Sequence, residues 1–177
     1  LLTEVGAPAE AGRRRVGVHL GAAHGPAKVW PAERIIEFCR LTGGEGLLPV
    51  LLGSSDDIAF AEEVGRATRA PSLVGRDRPA LLTAVLSEVD ALVSGDTGGA
   101  HLAASLGTPV VALFGPTDPA LTAPRGRTAV LQHPMPCAPC FYRECPIEHP
   151  CLRSIGAGEV RDRVWRSSHQ SYLRPLP

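Results

Sequence analysis

One stretch of the sequence carries residues suited to binding a phosphate group. Apolar residues 91–93 predict a short buried strand, residues 94–99 read Ser-Gly-Asp-Thr-Gly-Gly, and residues 101–106 predict a helix. The glycine turn leaves three backbone N–H groups where free donors and partial positive charge favour an anion, those of Thr97, Gly98 and Gly99. Asp96, at the strand end, can accept a hydrogen bond from a sugar hydroxyl. Helix capping by Asp96 and Thr97 is the alternative interpretation.

A second candidate lies in the loop that follows a predicted strand at residues 16–20. This loop, residues 21–31, reads Gly-Ala-Ala-His-Gly-Pro-Ala-Lys-Val-Trp-Pro, and Lys28 carries its ammonium group. Lysine binds phosphate as a mobile point charge, so Lys28 is placed to complete a phosphate site. A solvated surface lysine explains the same pattern equally well from spacing alone.

Four of the five cysteines fall within residues 137–151. In a protein without a secretory signal, such a cluster favours a metal site over a disulfide framework. A tetrahedral zinc site is one interpretation, held by Cys137, Cys140, Cys145 and Cys151, with His149 as the alternative to Cys151. Reduced or reversibly oxidised thiols are the other interpretation, and a catalytic thiol is less favoured. The fifth cysteine, Cys39, lies in a helical pattern and is predicted to be in the core.

Elements that position these residues alternate along the chain. Short apolar runs predict strands at residues 16–20, 47–52, 72–74, 91–93, 110–114 and 129–131, and helical patterns separate most of them. This alternation predicts an α/β fold, a Rossmann-like parallel sheet with helices on both faces. Loops after the strands of such a sheet lie on one edge, where ligands bind. Lys28 and Asp96 are therefore expected at the same edge.

Three parts of the chain are expected to differ in role. Residues 1–14 are predicted to be a linker, residues 15–166 a ligand-binding domain that includes the cysteine-rich segment 137–151, and residues 167–177 a poorly ordered tail. The polar, small-residue start without Met leads us to expect that a preceding domain is missing from this chain.

Composition excludes several classes of protein. Hydrophobic residues make up 44% of the chain, charged residues make up 20%, and the formal net charge is zero, as in ordinary globular proteins. No excess of positive charge indicates a nucleic-acid partner. No apolar run approaches the roughly 20 residues that span a bilayer, and no secretory signal is present. A cytoplasmic location is expected.

Three motifs together resemble glycosyltransferase family 9, the lipopolysaccharide heptosyltransferases. Residues 96–119, Asp-Thr-Gly-Gly-Ala-His-Leu-Ala-Ala-Ser-Leu-Gly-Thr-Pro-Val-Val-Ala-Leu-Phe-Gly-Pro-Thr-Asp-Pro, resemble the signature of that family. Residues 21–31 are similar to its donor-phosphate loop, and the cysteine-rich segment up to residue 155 is similar to one in many members. The resemblance covers roughly residues 16–155, with the motifs in the same order.

The resemblance implies the C-terminal, donor-binding half of a two-domain GT-B glycosyltransferase. It implies an ADP-heptose-type donor whose diphosphate meets Lys28 and the backbone of residues 97–99, while Asp96 contacts the donor sugar. His101 matches a histidine near the donor. Many members bind ribose through an acidic residue soon after the glycine that matches Gly53, and Asp56 is the nearest carboxylate here.

The resemblance also implies the reaction and its partners. The reaction is an inverting displacement without an obligatory metal or cofactor, the acceptor is the lipopolysaccharide core, and the enzyme is cytoplasmic and peripheral to the inner membrane. The general base belongs to the N-terminal domain, so no catalytic residue is assigned in this chain, and we expect it to bind donor without transferring sugar. Two alternatives are a transferase that uses a UDP-sugar and a non-catalytic nucleotide-binding or metal-stabilised interaction module.

Overall fold

A computed structural model describes residues 2–9, 12–76 and 78–169. Its centre is a five-stranded sheet in the order β2-β1-β3-β4-β5, with every neighbouring pair parallel. The strands are β1 (Arg14–His19), β2 (Leu47–Leu52), β3 (Ala91–Gly95), β4 (Val110–Phe114) and β5 (Thr128–Gln132). The predicted α/β fold with a parallel sheet is confirmed.

Seven α-helices connect or follow these strands: α1 (Ala32–Thr42), α2 (Ile58–Thr68), α3 (Pro79–Glu88), α4 (Gly98–Ser105), α5 (Pro119–Thr122), α6 (Pro150–Arg153) and α7 (Ala157–His169). Short 3₁₀ helices occur at Thr3–Val5, Pro26–Lys28 and Ser55–Asp57. Proline occupies the first turn of α3, α5 and α6, where its missing N–H is not needed.

Two hydrophobic layers cover the faces of the sheet. On one face, α1, α2 and α7 pack over inward side chains such as Val16, Val18 and Val111. On the other face, α3 and α4 pack over Leu92, Val110 and others. Every residue of β2, β3 and β4 is buried, as expected for parallel strands covered on both sides. Because all neighbouring strands are parallel, their carboxyl ends share one edge of the sheet.

Some element boundaries differ from the sequence predictions. Residues 72–74 were predicted to form a strand but do not. Ser72 makes an isolated parallel bridge to Leu51 at the outer edge of β2. Strand β1 begins two residues earlier and ends one residue earlier than predicted, since the pairing of Arg14 with Leu47 extends the ladder at its start.

The ends of the chain also add structure. Within the segment predicted as a linker, Leu2 and Ala7 are buried in the layer that contains α3 and α4. Helix α7 continues through residues 167–169, which were predicted to belong to the tail. The remainder of that prediction, residues 170–177, lies outside the described residues. In the described part of the chain, no helix has the length and apolarity needed to cross a bilayer.

Candidate functional site

The turn between β3 and α4 is shorter than predicted: α4 starts at Gly98, three residues before the predicted start at residue 101, and Thr97 is its capping residue, as the alternative interpretation had it. The Thr97 hydroxyl accepts a hydrogen bond from the Ala100 N–H at 3.3 Å and lies 2.8 Å from the Ser94 hydroxyl. Helix α4 begins at Gly98, and within the described residues no acceptor bonds the N–H groups of Gly98 and Gly99. These donors remain available to an anion at the positive end of the helix.

Asp96 does not cap the helix; it pairs with Lys28. The Lys28 Nζ donates to Asp96 Oδ2 at 2.6 Å, and the two side chains are only 12% and 6% exposed. The loop after β1 reaches the end of β3 because Gly95 lacks a side chain: a Cβ there would overlap the Lys28 carbonyl oxygen. The structure therefore joins the two predicted charged residues, which are 68 positions apart in sequence.

Thr122 is a third member of this cluster. Its hydroxyl lies 3.1 Å from Asp96 Oδ2 and 3.3 Å from the Asp118 carbonyl oxygen. Lys28 and Thr122 thus both donate to Oδ2, and Oδ1 is the oxygen to which neither of them bonds. This arrangement suits a carboxylate that is held on one oxygen and offered to a ligand on the other.

A cavity of about 370 Å³, which we call the open hollow, lies beside the turn between β3 and α4. It is lined chiefly by His19, Asp56, Asp57, Thr97, Gly98 and Gly99. Asp57 closes the loop after β2, since its carboxylate accepts hydrogen bonds from the Ser54 N–H at 2.8 Å and the Ser54 hydroxyl at 3.0 Å. Asp56 is exposed and lines the hollow, which places it within reach of a ligand there.

Comparison with known proteins gives this arrangement a family. The family model described as glycosyltransferase family 9 (heptosyltransferase) matches residues 3–150. The chain belongs to glycosyltransferase family 9. Lipopolysaccharide heptosyltransferase 2 of Salmonella typhimurium is 32% identical over 123 residues, which cover 66% of this chain and 35% of that protein. Lipopolysaccharide heptosyltransferase 1 of Pseudomonas aeruginosa is 36% identical over 125 residues, covering 69% of this chain and 34% of that protein.

The same fold occurs in a solved heptosyltransferase. The structure of E. coli ADP-heptose lipopolysaccharide heptosyltransferase II superposes with a TM-score of 0.81 at 24% identity, covering 97% of this chain and 51% of that one. At this identity the likeness establishes the fold. The chain spans about a third of the length of the curated relatives described above and about half of this solved chain.

The histidine that matches the family 9 motif does not line the open hollow, and neither do Lys28 and Asp96. His101 is exposed on the first turn of α4 and is not among the residues that line the open hollow. Its proposed contact with a donor therefore needs a ligand that extends along α4, beyond the hollow.

The cysteine-rich segment does not form the predicted zinc site. Within the described residues, no group of three or more His, Cys, Asp or Glu side chains is arranged to hold a metal ion. Cys137 is exposed, whereas Cys151 is buried on α6 against Gly115, and burial raises the pKa of the Cys151 thiol. Cys145 accepts a hydrogen bond from the His149 N–H at 3.2 Å, and Cys140 is half-buried. The thiols thus differ in burial, although Cys145 and Cys137 lie near enough to Cys151 to contribute to raising the pKa of its thiol.

The core assignment of Cys39 is confirmed. It is 4% exposed on α1, and burial raises the pKa of its thiol to about 12. A thiol in this environment is protonated at neutral pH and packs as a small apolar side chain.

The cysteine-rich segment instead holds two site loops. The Arg143 carbonyl accepts a hydrogen bond from the Ala27 N–H at 3.0 Å, next to Lys28. The N–H groups of Cys140 and Phe141 both donate to the Pro116 carbonyl, at 3.0 and 2.8 Å. Because one segment bonds the loops after β1 and β4, it fixes the distance between the residues that those loops carry.

Sequence reasoning missed three residues of this site: His19, Asp57 and Thr122. His19 and Asp57 gave a usable signal, since His19 is a polar residue near the end of a predicted strand and Asp57 lies in the loop that follows another. Thr122 gave none, because it lies in a Pro- and Gly-rich stretch that predicted only a loop.

Thr122→Val is expected to lower the free energy of unfolding by about 1–2 kcal/mol, because a buried carboxylate loses a hydrogen bond. Thr122→Ser should restore most of that loss, since the hydroxyl is retained. Urea unfolding measures both. Thr83→Val is the matched control, because Thr83 donates only to the Pro79 carbonyl at the surface of α3. Equal losses for the Thr122 and Thr83 variants would contradict the role assigned to Thr122.

Proposed function

We propose that this chain is the donor-binding part of a family 9 glycosyltransferase that takes an ADP-heptose-type nucleotide sugar. The observation that carries the proposal is the buried Lys28–Asp96 pair beside the free N–H groups at the start of α4. An ammonium group and a helix N-terminus together suit a diphosphate, and a carboxylate suits sugar hydroxyls. The names of the relatives support a heptose as the sugar and a lipopolysaccharide as the acceptor.

The proposed chemistry follows from where charge develops. Displacement at the anomeric carbon breaks the bond to the diphosphate, and negative charge grows on the departing phosphate oxygen. We propose that the N–H groups of Gly98 and Gly99, together with Lys28 Nζ from its pair with Asp96, stabilise that charge. Asp96, held at Oδ2, offers Oδ1 to a donor-sugar hydroxyl.

Sugar transfer itself is proposed for the complete enzyme. Deprotonating the acceptor hydroxyl requires a base within hydrogen-bond reach, and we propose that residues outside this chain supply it. The chain covers only about a third to a half of its relatives, which agrees with a division between donor and acceptor binding. We expect donor binding without turnover from the 177-residue chain.

Calorimetric titration of ADP into the purified chain tests the proposal, with UDP and GDP as competing nucleotides. Selective binding of ADP is the expected result. Equal binding of UDP would overturn the ADP-sugar assignment. No binding of any nucleotide by a folded chain would overturn donor binding by this chain and favour a non-catalytic module.

A further inference from the structure

His19 lies between two hollows at the carboxyl edge of the sheet. It is the last residue of β1, and its side chain is partly buried. On one side it lines the open hollow next to the glycine turn. On the other side it lines a separate cavity of about 120 Å³, which we call the apolar cavity. His19 and Ser54 line both spaces.

The apolar cavity suits a flat ring. Its walls are mostly aliphatic, formed by Leu52, Leu73, Leu81, Leu82 and Val85, with Arg76 at its border. A dry cavity of roughly 150 Å³ with similar walls accepts benzene in another protein, so a space of this size and lining can take part of a nucleobase. The open hollow, with its N–H donors, suits the phosphates.

The orientation of the His19 ring is fixed by a backbone carbonyl. Nδ1 lies 3.0 Å from the Gly21 carbonyl oxygen, which can only accept, so Nδ1 carries the hydrogen. Burial lowers the pKa of His19, against the opposing effects of the Gly21 carbonyl and the Asp57 carboxylate, and this favours the neutral ring. Nε2 of the neutral ring is consequently an acceptor.

The acceptor edge of the ring faces the glycine turn. A Cβ added to Gly99 would lie 3.0 Å from Cδ2 and 3.1 Å from Nε2 of His19, closer than side chains normally approach. The absence of a side chain at Gly99 therefore allows the His19 ring to pack against the first turn of α4. Within the described residues, no donor bonds Nε2.

We propose that His19 is a nucleoside-binding residue whose Nε2 accepts a hydrogen bond from a ribose hydroxyl. In a nucleotide the ribose joins base to phosphate, so a side chain between the apolar cavity and the phosphate-binding turn lies opposite the ribose. This inference rests on the proposed function, because it requires a nucleotide in the site. It adds a contact for ribose besides the exposed Asp56.

Calorimetric titrations of ADP, 2′-deoxy-ADP and 3′-deoxy-ADP into the parent chain and His19→Leu test this inference. At pH 8 the imidazole is neutral in the folded chain. We expect the parent to bind one deoxynucleotide about tenfold more weakly than ADP, the loss of one hydrogen bond. His19→Leu should bind ADP about tenfold more weakly than the parent and should no longer distinguish ADP from that deoxynucleotide.

His133→Leu is the control, because His133 contacts Ser154 and Glu159 and lines neither hollow. It should bind all three nucleotides as the parent does.

The inference is wrong if the parent binds ADP and both deoxynucleotides equally. This comparison uses the parent chain alone, so it does not depend on whether a variant folds. An equal loss for all three nucleotides in His19→Leu would also overturn it and indicate a role in shape alone. A parent that binds no nucleotide would overturn the proposed function and this inference together.

Discussion

Asp96→Asn is expected to lower the free energy of unfolding by about 3 kcal/mol, because it leaves the ammonium group of Lys28 buried without a counter-charge. The Lys28 side chain is 12% exposed and its Nζ lies 2.6 Å from Asp96 Oδ2. The asparagine keeps the size of the side chain and an oxygen for the Thr122 hydroxyl, so the change removes little besides the charge. Urea unfolding monitored by circular dichroism measures the loss.

Two further variants separate the buried pair from a general effect of lost charge. Lys28→Met combined with Asp96→Asn should recover most of the lost stability, since no charge is then stranded. Glu88→Gln removes a carboxylate from an ion pair with Arg15 at 3.4 Å, where Glu88 is 65% exposed, and should cost less than about 1 kcal/mol. A cost of that small size for Asp96→Asn would show that the pair is not isolated from water as its burial indicates.

Lys28→Gln is expected to weaken ADP binding by about tenfold to a hundredfold, the loss of one charge-assisted hydrogen bond to phosphate. Glutamine can still donate to Asp96, but the Asp96 carboxylate then lacks its counter-charge, so urea unfolding must show that the variant is folded before its affinity is compared. Lys28 is the only lysine in the sequence, so no neighbouring ammonium group can replace it. Calorimetric titration at fixed ionic strength gives the ratio of the two dissociation constants.

The control for Lys28→Gln is Arg40→Gln, which removes an equal charge from the exposed face of α1. This control should bind ADP as the parent does. If Lys28→Gln also binds as the parent does, while its unfolding curve shows an intact fold, Lys28 serves the structure through Asp96 and does not contact phosphate. In that case we would assign phosphate binding to the N–H groups at the start of α4 alone.

Much of the fold was predictable because local patterns determine it. Continuous apolar runs at residues 47–52 and 110–114 predicted buried strands, and helical patterns between the strands predicted parallel pairing. The pattern of residues 94–106 predicted that a helix follows β3, although α4 starts at Gly98 and not at residue 101 because Thr97 caps it. Parallel pairing also predicted that Lys28 and Asp96 share an edge, although it did not predict that they touch.

Local patterns failed where long-range contacts decide the outcome. The spacing of the cysteines allowed either a zinc site or separate thiols, but only the packing of the segment decides which side chains meet, and within the described residues no group able to hold a metal forms. Residues 167–169 look like a polar tail, yet they extend α7, where Ser168 is buried and bonded to Arg14 at 2.8 Å. Residues 72–74 have strand character, but they make one bridge to Leu51.

The sequence by itself determined the family and the α/β class and named the charged residues of the candidate site, because motifs and periodicity are local properties of the chain. Only the tertiary structure decided which of those residues meet: Lys28 with Asp96 and Thr122, and His19 with Gly99. The physical reason is that these contacts join loops that follow different strands. Their distances depend on sheet order and helix packing, which the whole core sets together.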